Sequence, residues 1–305
     1  MDVLFYIAVA TLFLLAILIL AGAYVVFCIA IKSVSGKEVV FGTSHKEHKT
    51  ENEKKLDFPW IEQVQQPTIN SRDGYKLSGY EVFQSPSSEW FICIHGFSGN
   101  ATNMVMHMDH LVKLGYNILA VDLRGHGRSE GKYYGLGYLD QFDIAEWIDY
   151  ATNKSQCDQV NLFGISMGGA TALMAAAYTP DRVSKIITDS APADFVSMFT
   201  RILSGKLRAL TPLVIGTVSL YNRIFVGYWL RDASAASVVS KITAPVLFIH
   251  GQSDGFVPVS MVGQLYDVCN APKSRLIIEN ADHTKAAQVD PELYWNTVKS
   301  FLLEE

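Results

Sequence analysis

Residues 161–177 read NLFGISMGGATALMAAA, an apolar run that ends in Gly-Ile-Ser-Met-Gly and continues into small residues. This order predicts a buried strand, a sharp turn and a helix. In a Gly-x-Ser-x-Gly turn the glycines keep side chains out of the bend, and the serine stands at the helix start. The stretch therefore predicts Ser166 as a nucleophile, with a serine in an ordinary glycine-rich turn as the alternative.

On both sides of this turn, strand-like runs alternate with helical runs. Residues 75–83 alternate in polarity and predict an early antiparallel strand, whereas later runs are continuously apolar, as buried strands are. The alternation predicts the α/β class, with a mostly parallel, doubly wound sheet. Residues 194–238 interrupt it and predict a helical cap insertion over the carboxyl ends of the strands, where ligands bind in such sheets.

The N-terminus predicts a membrane anchor over residues 1–31. Residues 3–31 carry no charge, and this run exceeds the roughly 20 residues that a helix needs to cross a bilayer. A cleaved signal peptide is the alternative, but Asp2 stands where such a peptide has a basic region. Lys32 and Lys37 follow the run, so a single-pass topology with the C-terminal part on the cytoplasmic side is expected.

The remaining chain divides into a polar linker and one large domain. Residues 32–59 include the mixed-charge run SHKEHKTENEKKLD and predict a solvated linker, while residues 60–305 predict the α/β domain. The net charge of −5 and the absence of a basic tract give no indication of nucleic-acid binding. The 4 cysteines form no C-x-x-C pair, so neither a zinc site nor a disulfide framework is predicted. The composition gives no indication of the oligomeric state.

A nucleophilic serine needs a base and a carboxylate, and the sequence offers both at strand ends. Asp254 follows the apolar run VLFIHG, and His283 follows the run RLII near the end of the chain. Asp189, after KIIT, is the alternative acid, although GQSDGFVP fits an acid loop better. The predicted catalytic set is therefore Ser166, Asp254 and His283, in that chain order.

Backbone amides beside the serine would hold the charge that develops on an attacked carbonyl oxygen. Met167, directly after the serine, is predicted to provide one amide. The loop after the strand FICIH is predicted to provide the other, from Phe97, with Ser98 as the alternative donor. The mechanism expected from these residues needs neither a metal nor a cofactor.

Five motifs carry a family resemblance over residues 60–305: HGFSGN (95–100), DLRGHGRSEG (122–131), GISMGG (164–169), HGQSDGFVP (250–258) and DHT (282–284). With them the chain resembles the α/β-hydrolases, most of all the serine aminopeptidase S33 and monoglyceride lipase-like branch, as a membrane-anchored bacterial type. The resemblance implies a carboxylesterase or lipase-like serine hydrolase that acts on a small-molecule or lipid-like ester. A peptidase, amidase or thioesterase on the same fold, and a non-catalytic binding protein, are the alternatives.

Several further residues carry expectations. Asp282 stands where relatives often have glycine, and its carboxylate either tunes His283 or faces solvent. Asp122 and Arg124 are expected to pair, and structural hydrogen bonds are expected at His95, His126 and His250. The predicted cap is basic and contains no Asp or Glu between residues 195 and 231, which suggests either an ordinary cap or a lid against an anionic membrane; its basic residues are Arg201, Lys206, Arg208, Arg223 and Arg231.

Overall fold

A computed structural model of the chain describes residues 3–33, 58–204 and 208–304. Its centre is an 8-stranded sheet with the order β1-β2-β4-β3-β5-β6-β7-β8. β2 pairs antiparallel with both β1 and β4, and the later neighbours pair in parallel, as the sequence predicts. The strands are β1 Thr68–Asn70, β2 Lys76–Val82, β3 Trp90–Ile94, β4 Asn117–Val121, β5 Val160–Ile165, β6 Val183–Asp189, β7 Val246–Gly251 and β8 Lys273–Ile278.

Helices connect these strands and cover both faces of the sheet. The α-helices are α1 Val3–Ala30, α2 Val105–Lys113, α3 Asp140–Asn153, α4 Met167–Tyr178, α5 Phe195–Leu203, α6 Thr211–Phe225, α7 Val259–Val268, α8 Ala286–Val289 and α9 Pro291–Leu303. Short 3₁₀ turns lie at Ile61–Gln63, Ala101–Met104, Pro180–Arg182, Arg208–Leu210, Leu230–Asp232 and Val239–Lys241. This is the predicted α/β-hydrolase fold, with a mostly parallel sheet.

Alternate side chains of each central strand enter two separate cores. In β3, Ile92 packs in the core that contains α3, α4 and α7, whereas Phe91 and Cys93 pack in the core that contains α2 and α9. Every residue of β3 and of β4 is buried. This two-sided burial explains why the two strands are apolar without interruption.

The predicted cap contains α5 and α6, which follow β6. Asp194 caps α5, since its carboxylate accepts a hydrogen bond of 2.7 Å from the amide of Ser197. α6 packs against α5, and Ile215 and Val218 point into the first core. Lys206 of the basic set lies outside the described residues.

Among the described residues, α1 is the one helix that is long and apolar enough to cross a membrane. Most of its 28 residues are exposed, but Ala23, Phe27 and Ala30 are buried in the first core. The chain after α1 then joins the loop around residue 133: the Tyr134 amide donates to Ile31, and the Ser33 amide donates to Lys132. Most of the predicted linker, residues 34–57, lies outside the described residues.

Candidate active site

Ser166 lies in a sharp turn between β5 and α4, with a φ of 53°. This left-handed conformation is uncommon for a residue other than glycine and marks local strain. A Cβ atom on Gly164 would stand 2.2 Å from the carbonyl oxygen of Gly168, and one on Gly168 would stand 2.1 Å from that of Ile94. Both positions therefore require glycine, and the tight turn lifts the serine hydroxyl above the carboxyl end of the sheet.

The structure brings Ser166, Asp254 and His283 together. The imidazole Nε2 of His283 lies 2.9 Å from the hydroxyl of Ser166, and its Nδ1 lies 2.7 Å from Oδ2 of Asp254. The three residues follow β5, β7 and β8, whose carboxyl ends meet at one edge of the parallel sheet. A hydroxyl, an imidazole and a carboxylate in a row is the arrangement in which a base removes a proton from a nucleophile.

The carboxylate of Asp254 is fixed by its own loop. Its Oδ1 accepts hydrogen bonds from the amides of Phe256, at 2.9 Å, and Val257, at 2.7 Å. Nε2 of His250 lies 3.3 Å from Oδ2 and 2.9 Å from the carbonyl oxygen of Val257. Burial alone would raise the pKa of Asp254, but hydrogen bonds from His250 and His283 outweigh it and hold the pKa well below its usual range. Asp254 therefore remains ionised and can orient His283.

Asp189, the alternative acid, is bonded elsewhere. Its carboxylate accepts hydrogen bonds from the hydroxyl of Ser190, at 2.8 Å, and from that of Tyr294, at 3.1 Å. Burial raises the pKa of Asp189, although both hydroxyls and the nearby histidines oppose this effect. The Asp189 carbonyl, by contrast, accepts the amide of Ser166 at 2.7 Å, so this residue supports the turn that carries the serine.

The loop after β3 lies directly against the serine. A Cβ atom on Gly96 would stand 3.3 Å from that of Ser166. His95 holds this loop: its Nε2 accepts a hydrogen bond of 3.1 Å from the amide of Leu123, so Nδ1 carries the proton and donates to the Gly96 carbonyl at 2.7 Å. Burial lowers the pKa of His95, which favours this neutral form. His95 thus has the structural role that the sequence predicts.

The predicted oxyanion residues line the cavities at Ser166. Met167 is the first residue of α4, where a backbone amide has no carbonyl partner within the helix. Phe97 and Met167 line one cavity together with Ser166, and the alternative donor Ser98 lines the neighbouring cavity. The loop that carries Phe97 and Ser98 approaches Ser166 at Gly96.

Two cavities of opposite character meet at Ser166. The open cavity has a volume of about 400 Å³, and its wall includes Asn100, Thr102, Asn103, Lys285 and Gln288. The apolar slot, of about 30 Å³, runs beneath the cap and is lined by Phe97, Ser166, Met167, Pro192, Phe195, Met198, Phe199, Ile202 and Phe256. Phe256 borders both and lies against the His283 imidazole, with 5.0 Å between the ring centroids. A substrate at Ser166 would therefore meet polar groups on one side and apolar groups on the other.

The expected pair of Asp122 and Arg124 is not formed. Asp122 instead accepts hydrogen bonds from the amides of Ala101, at 2.7 Å, and Arg128, at 2.8 Å. The guanidinium of Arg124 binds Asp143 at 2.7 Å and Asp73 at 2.9 Å. The prediction fails because the loop folds its own backbone around the Asp122 carboxylate, while Arg124 turns toward α3.

His126 and Asp282 both tie loops of the site together. His126 stacks on Tyr134, with 3.9 Å between the rings, and its Nδ1 contacts the Arg124 carbonyl at 3.0 Å. Asp282 is exposed, but its Oδ1 accepts hydrogen bonds from the amides of His283, at 2.7 Å, and Gly255, at 3.1 Å. Asp282 therefore connects the loop that carries Asp254 to the loop that carries His283. The sequence indicated a role for Asp282 because this residue directly precedes His283. No sequence pattern predicted its hydrogen bond to Gly255 or the contact of Phe256 with His283.

Comparison with known proteins gives the family. A family model for the α/β hydrolase fold matches residues 89–203. YqkD of Bacillus subtilis is 31% identical over 294 residues, which cover 94% of this chain and 96% of YqkD. WAV2 of Arabidopsis thaliana, an α/β hydrolase domain-containing protein, is 26% identical, with 77% of each chain covered. The chain belongs to the α/β-hydrolase superfamily.

A solved structure agrees with this fold. The Pyrococcus furiosus esterase Pf2001 is 25% identical and superimposes with a TM-score of 0.61, over 78% of this chain and 90% of the esterase.

Proposed function

We propose that this protein is a serine hydrolase that cleaves carboxylic (acyl) esters. Ser166 is the nucleophile, His283 is the base, and Asp254 is the carboxylate that orients the base. The observation that carries the proposal is the row of two contacts, 2.9 Å from Ser166 to His283 and 2.7 Å from His283 to Asp254. The similarity to an esterase supports the reaction class. Within the superfamily, the motifs quoted above favour the S33 and monoglyceride lipase-like branch.

The proposed reaction proceeds through an acyl-enzyme. Nε2 of His283 takes the Ser166 proton while Oγ attacks the ester carbonyl carbon, and the imidazolium then returns that proton to the departing alkoxide. Water, activated by the same imidazole, releases the acid and restores Ser166. The amides of Phe97 and Met167 bind the negative oxygen of both tetrahedral intermediates. Asp254, whose pKa lies well below its usual range, stays ionised and stabilises the imidazolium throughout.

The two cavities favour an assignment of the two halves of the ester. The apolar slot, with a volume of about 30 Å³, suits the part of an acyl chain nearest the carbonyl, because burial of each methylene group contributes about 0.8 kcal/mol. The open cavity, with its amide and ammonium groups, suits the alcohol and the attacking water. This arrangement favours a lipid-like ester over a peptide as substrate.

The proposal includes an uncleaved anchor at the N-terminus. Cleavage of a signal peptide at the end of the apolar run would remove Phe27 and Ala30, which are buried in the core of the domain. Residues 3–22 precede that buried part and measure roughly 30 Å along a helix axis, the thickness of a bilayer core. The lysines at positions 32 and 37 favour a cytoplasmic domain.

A substrate series tests the proposed activity. Purified full-length protein is assayed on p-nitrophenyl esters of 2 to about 16 carbons and on aminoacyl p-nitroanilides, with the Ser166→Ala variant as control. We expect ester hydrolysis by the native protein, anilide turnover at least about 100-fold slower, and loss of ester hydrolysis in the variant. Faster cleavage of the anilides would assign the protein to the peptidases instead, and equal ester rates for both proteins would remove Ser166 from the mechanism.

A further inference from the structure

Helix α6 exposes a row of large apolar side chains on the side that faces away from the domain. Ile215, Val218 and Asn222 face the domain core, whereas the opposite side exposes Leu213, Leu220 and Ile224. Ile224 is 63% exposed, and Arg223 is the one charged residue in the helix. A helix on a water-facing surface carries charged and polar residues on its outer face. The exposed side of α6, defined as Leu213, Leu220 and Ile224, therefore needs an apolar covering.

The helix next to α6 is the apolar helix α1, and its position indicates what covers the exposed side of α6. The hydroxyl of Tyr221 donates to the carbonyl oxygen of Leu20 at 3.2 Å. The rings of Tyr24 and Tyr221 lie 5.5 Å apart, and those of Phe27 and Phe225 lie 5.6 Å apart. Since residues 3–22 are long enough to fill the bilayer core, this junction lies where α1 leaves the hydrocarbon.

The residues at the junction have the composition of a membrane interface. Tyr24 and Tyr221 at the junction, and the exposed Trp229 shortly after α6, are aromatic residues with a polar edge, which concentrate at the boundary between hydrocarbon and water. Arg201, Arg223 and Arg231 are exposed on the same cap. Residues 195–231 contain no Asp or Glu, and the nearest acidic group to these cations in the cap is Asp232, whose carboxylate lies 4.0 Å from Arg231. Basic side chains at this depth attract anionic lipid headgroups.

We propose that α6 is an interfacial helix whose exposed side lies in the bilayer leaflet that adjoins the C-terminal end of α1. The domain is then held against the membrane by two elements, α1 across it and α6 within its surface. The neighbouring helix α5 contributes Ile202, which is 42% exposed and lines the apolar slot that leads to Ser166. Given the proposed ester hydrolysis, an acyl chain passes from the leaflet into the slot beside Ile202, so the substrate class is membrane-resident lipid esters.

The depth of α6 in a membrane is directly measurable. Leu220 and Val268, the last residue of α7, are both 44% exposed and form a matched pair. Each is replaced by cysteine in the full-length chain, in a background where the half-buried Cys28 and Cys157 are serine. An environment-sensitive fluorophore is attached and the protein is reconstituted in vesicles of phosphatidylcholine and phosphatidylglycerol. Quenching is measured with nitroxides on the lipid acyl chains and with aqueous iodide.

We expect the acyl-chain nitroxide to quench the label at position 220 at least about five-fold more than the label at position 268, with iodide giving the opposite order. Equal iodide quenching at both positions would place the exposed side of α6 in water and overturn the inference. Protection of position 220 from both quenchers would overturn it too, because a protein surface would then cover α6. Hydrolysis of a soluble ester, measured on the same vesicles, reports the proposed function separately from membrane depth.

Discussion

At the carboxyl edge of the sheet, the side chains around Ser166 are held by short hydrogen bonds, whereas in the cap they are held by contact between apolar surfaces. The carboxylate of Asp254, for example, accepts hydrogen bonds from two amides and lies against two imidazoles. The slot under the cap is lined by Phe195, Met198 and Phe199, which offer no directional bond. Directional bonds fix reacting atoms within a fraction of an ångström, while apolar walls accept any chain of suitable length. Substitutions at the edge should therefore change the chemical step, and substitutions in the cap should change substrate preference.

The largest loss of activity is expected when the catalytic carboxylate, Asp254, is replaced. Asp254→Asn should lower kcat/KM for p-nitrophenyl butyrate by about 10³- to 10⁴-fold, because an amide cannot stabilise the imidazolium or hold the required tautomer. Asp189→Asn is the matched control, since that residue is also buried and keeps its hydroxyl partners; its loss should stay below about ten-fold. Steady-state kinetics give kcat/KM for both variants and show which carboxylate supports the reaction. A larger loss from Asp189→Asn would exchange the roles of the two acids.

The second effect concerns the attachment of α1 to the domain. Phe27 is 1% exposed and Phe13 is 69% exposed, although both lie in the same helix. Phe27→Ala should lower the free energy of unfolding by about 3 kcal/mol through the cavity that it leaves. Phe13→Ala should leave it unchanged. Thermal unfolding of the full-length proteins in detergent measures both, with a decrease of roughly 6–12 °C expected for the first variant. Equal melting temperatures would make α1 a tether that does not pack on the domain.

The third effect tests the apolar slot. Ile202→Trp adds bulk at a partly exposed position of the slot wall and should exclude the end of a long acyl chain. The ratio of kcat/KM for a 12-carbon ester to that for a 4-carbon ester should fall about ten-fold, which corresponds to about two methylene groups no longer buried. Met106→Trp, an exposed position on α2, is the control. An unchanged ratio in Ile202→Trp would assign the acyl chain to the open cavity.

The smallest effect is expected at the link between the two catalytic loops. Asp282→Gly removes the acceptor for the amides of His283 and Gly255, and kcat should fall roughly three- to ten-fold, the equivalent of about one hydrogen bond. Asp282→Asn retains an acceptor oxygen and should restore kcat to within about two-fold. KM should change little in either variant. A loss in Asp282→Asn equal to that in Asp282→Gly would mean that the negative charge, and not the link, matters.

The same contrast explains what the sequence could predict. The fold was predictable because strands and helices alternate in clear apolar patterns, and the carboxyl ends of parallel strands meet at one edge. That geometry is why Ser166, Asp254 and His283, which lie far apart in the chain, were expected to lie close together in space. These residues occupy strand ends, which a sequence reveals directly.

Other features depend on tertiary packing that the sequence does not encode locally. Arg124 was expected to bind Asp122, two residues away, but it binds Asp143 of α3 and Asp73. α1 is apolar on every side, so its pattern could not indicate which face packs against α6. Asp282 lies beside Gly255 only because two separate loops meet. In each case the partner is distant in the chain and no periodicity points to it.

The nucleophile is the centre of this account, and a covalent probe tests it most directly. A fluorophosphonate reacts far faster with a serine whose hydroxyl is activated by a neighbouring base than with other side chains. Full-length protein is treated with the probe, digested and analysed by mass spectrometry, with His283→Ala as the control. The account predicts a stoichiometric adduct on the peptide that contains Ser166 and none in the control. Absence of an adduct in folded protein, or an adduct on another serine, would contradict it.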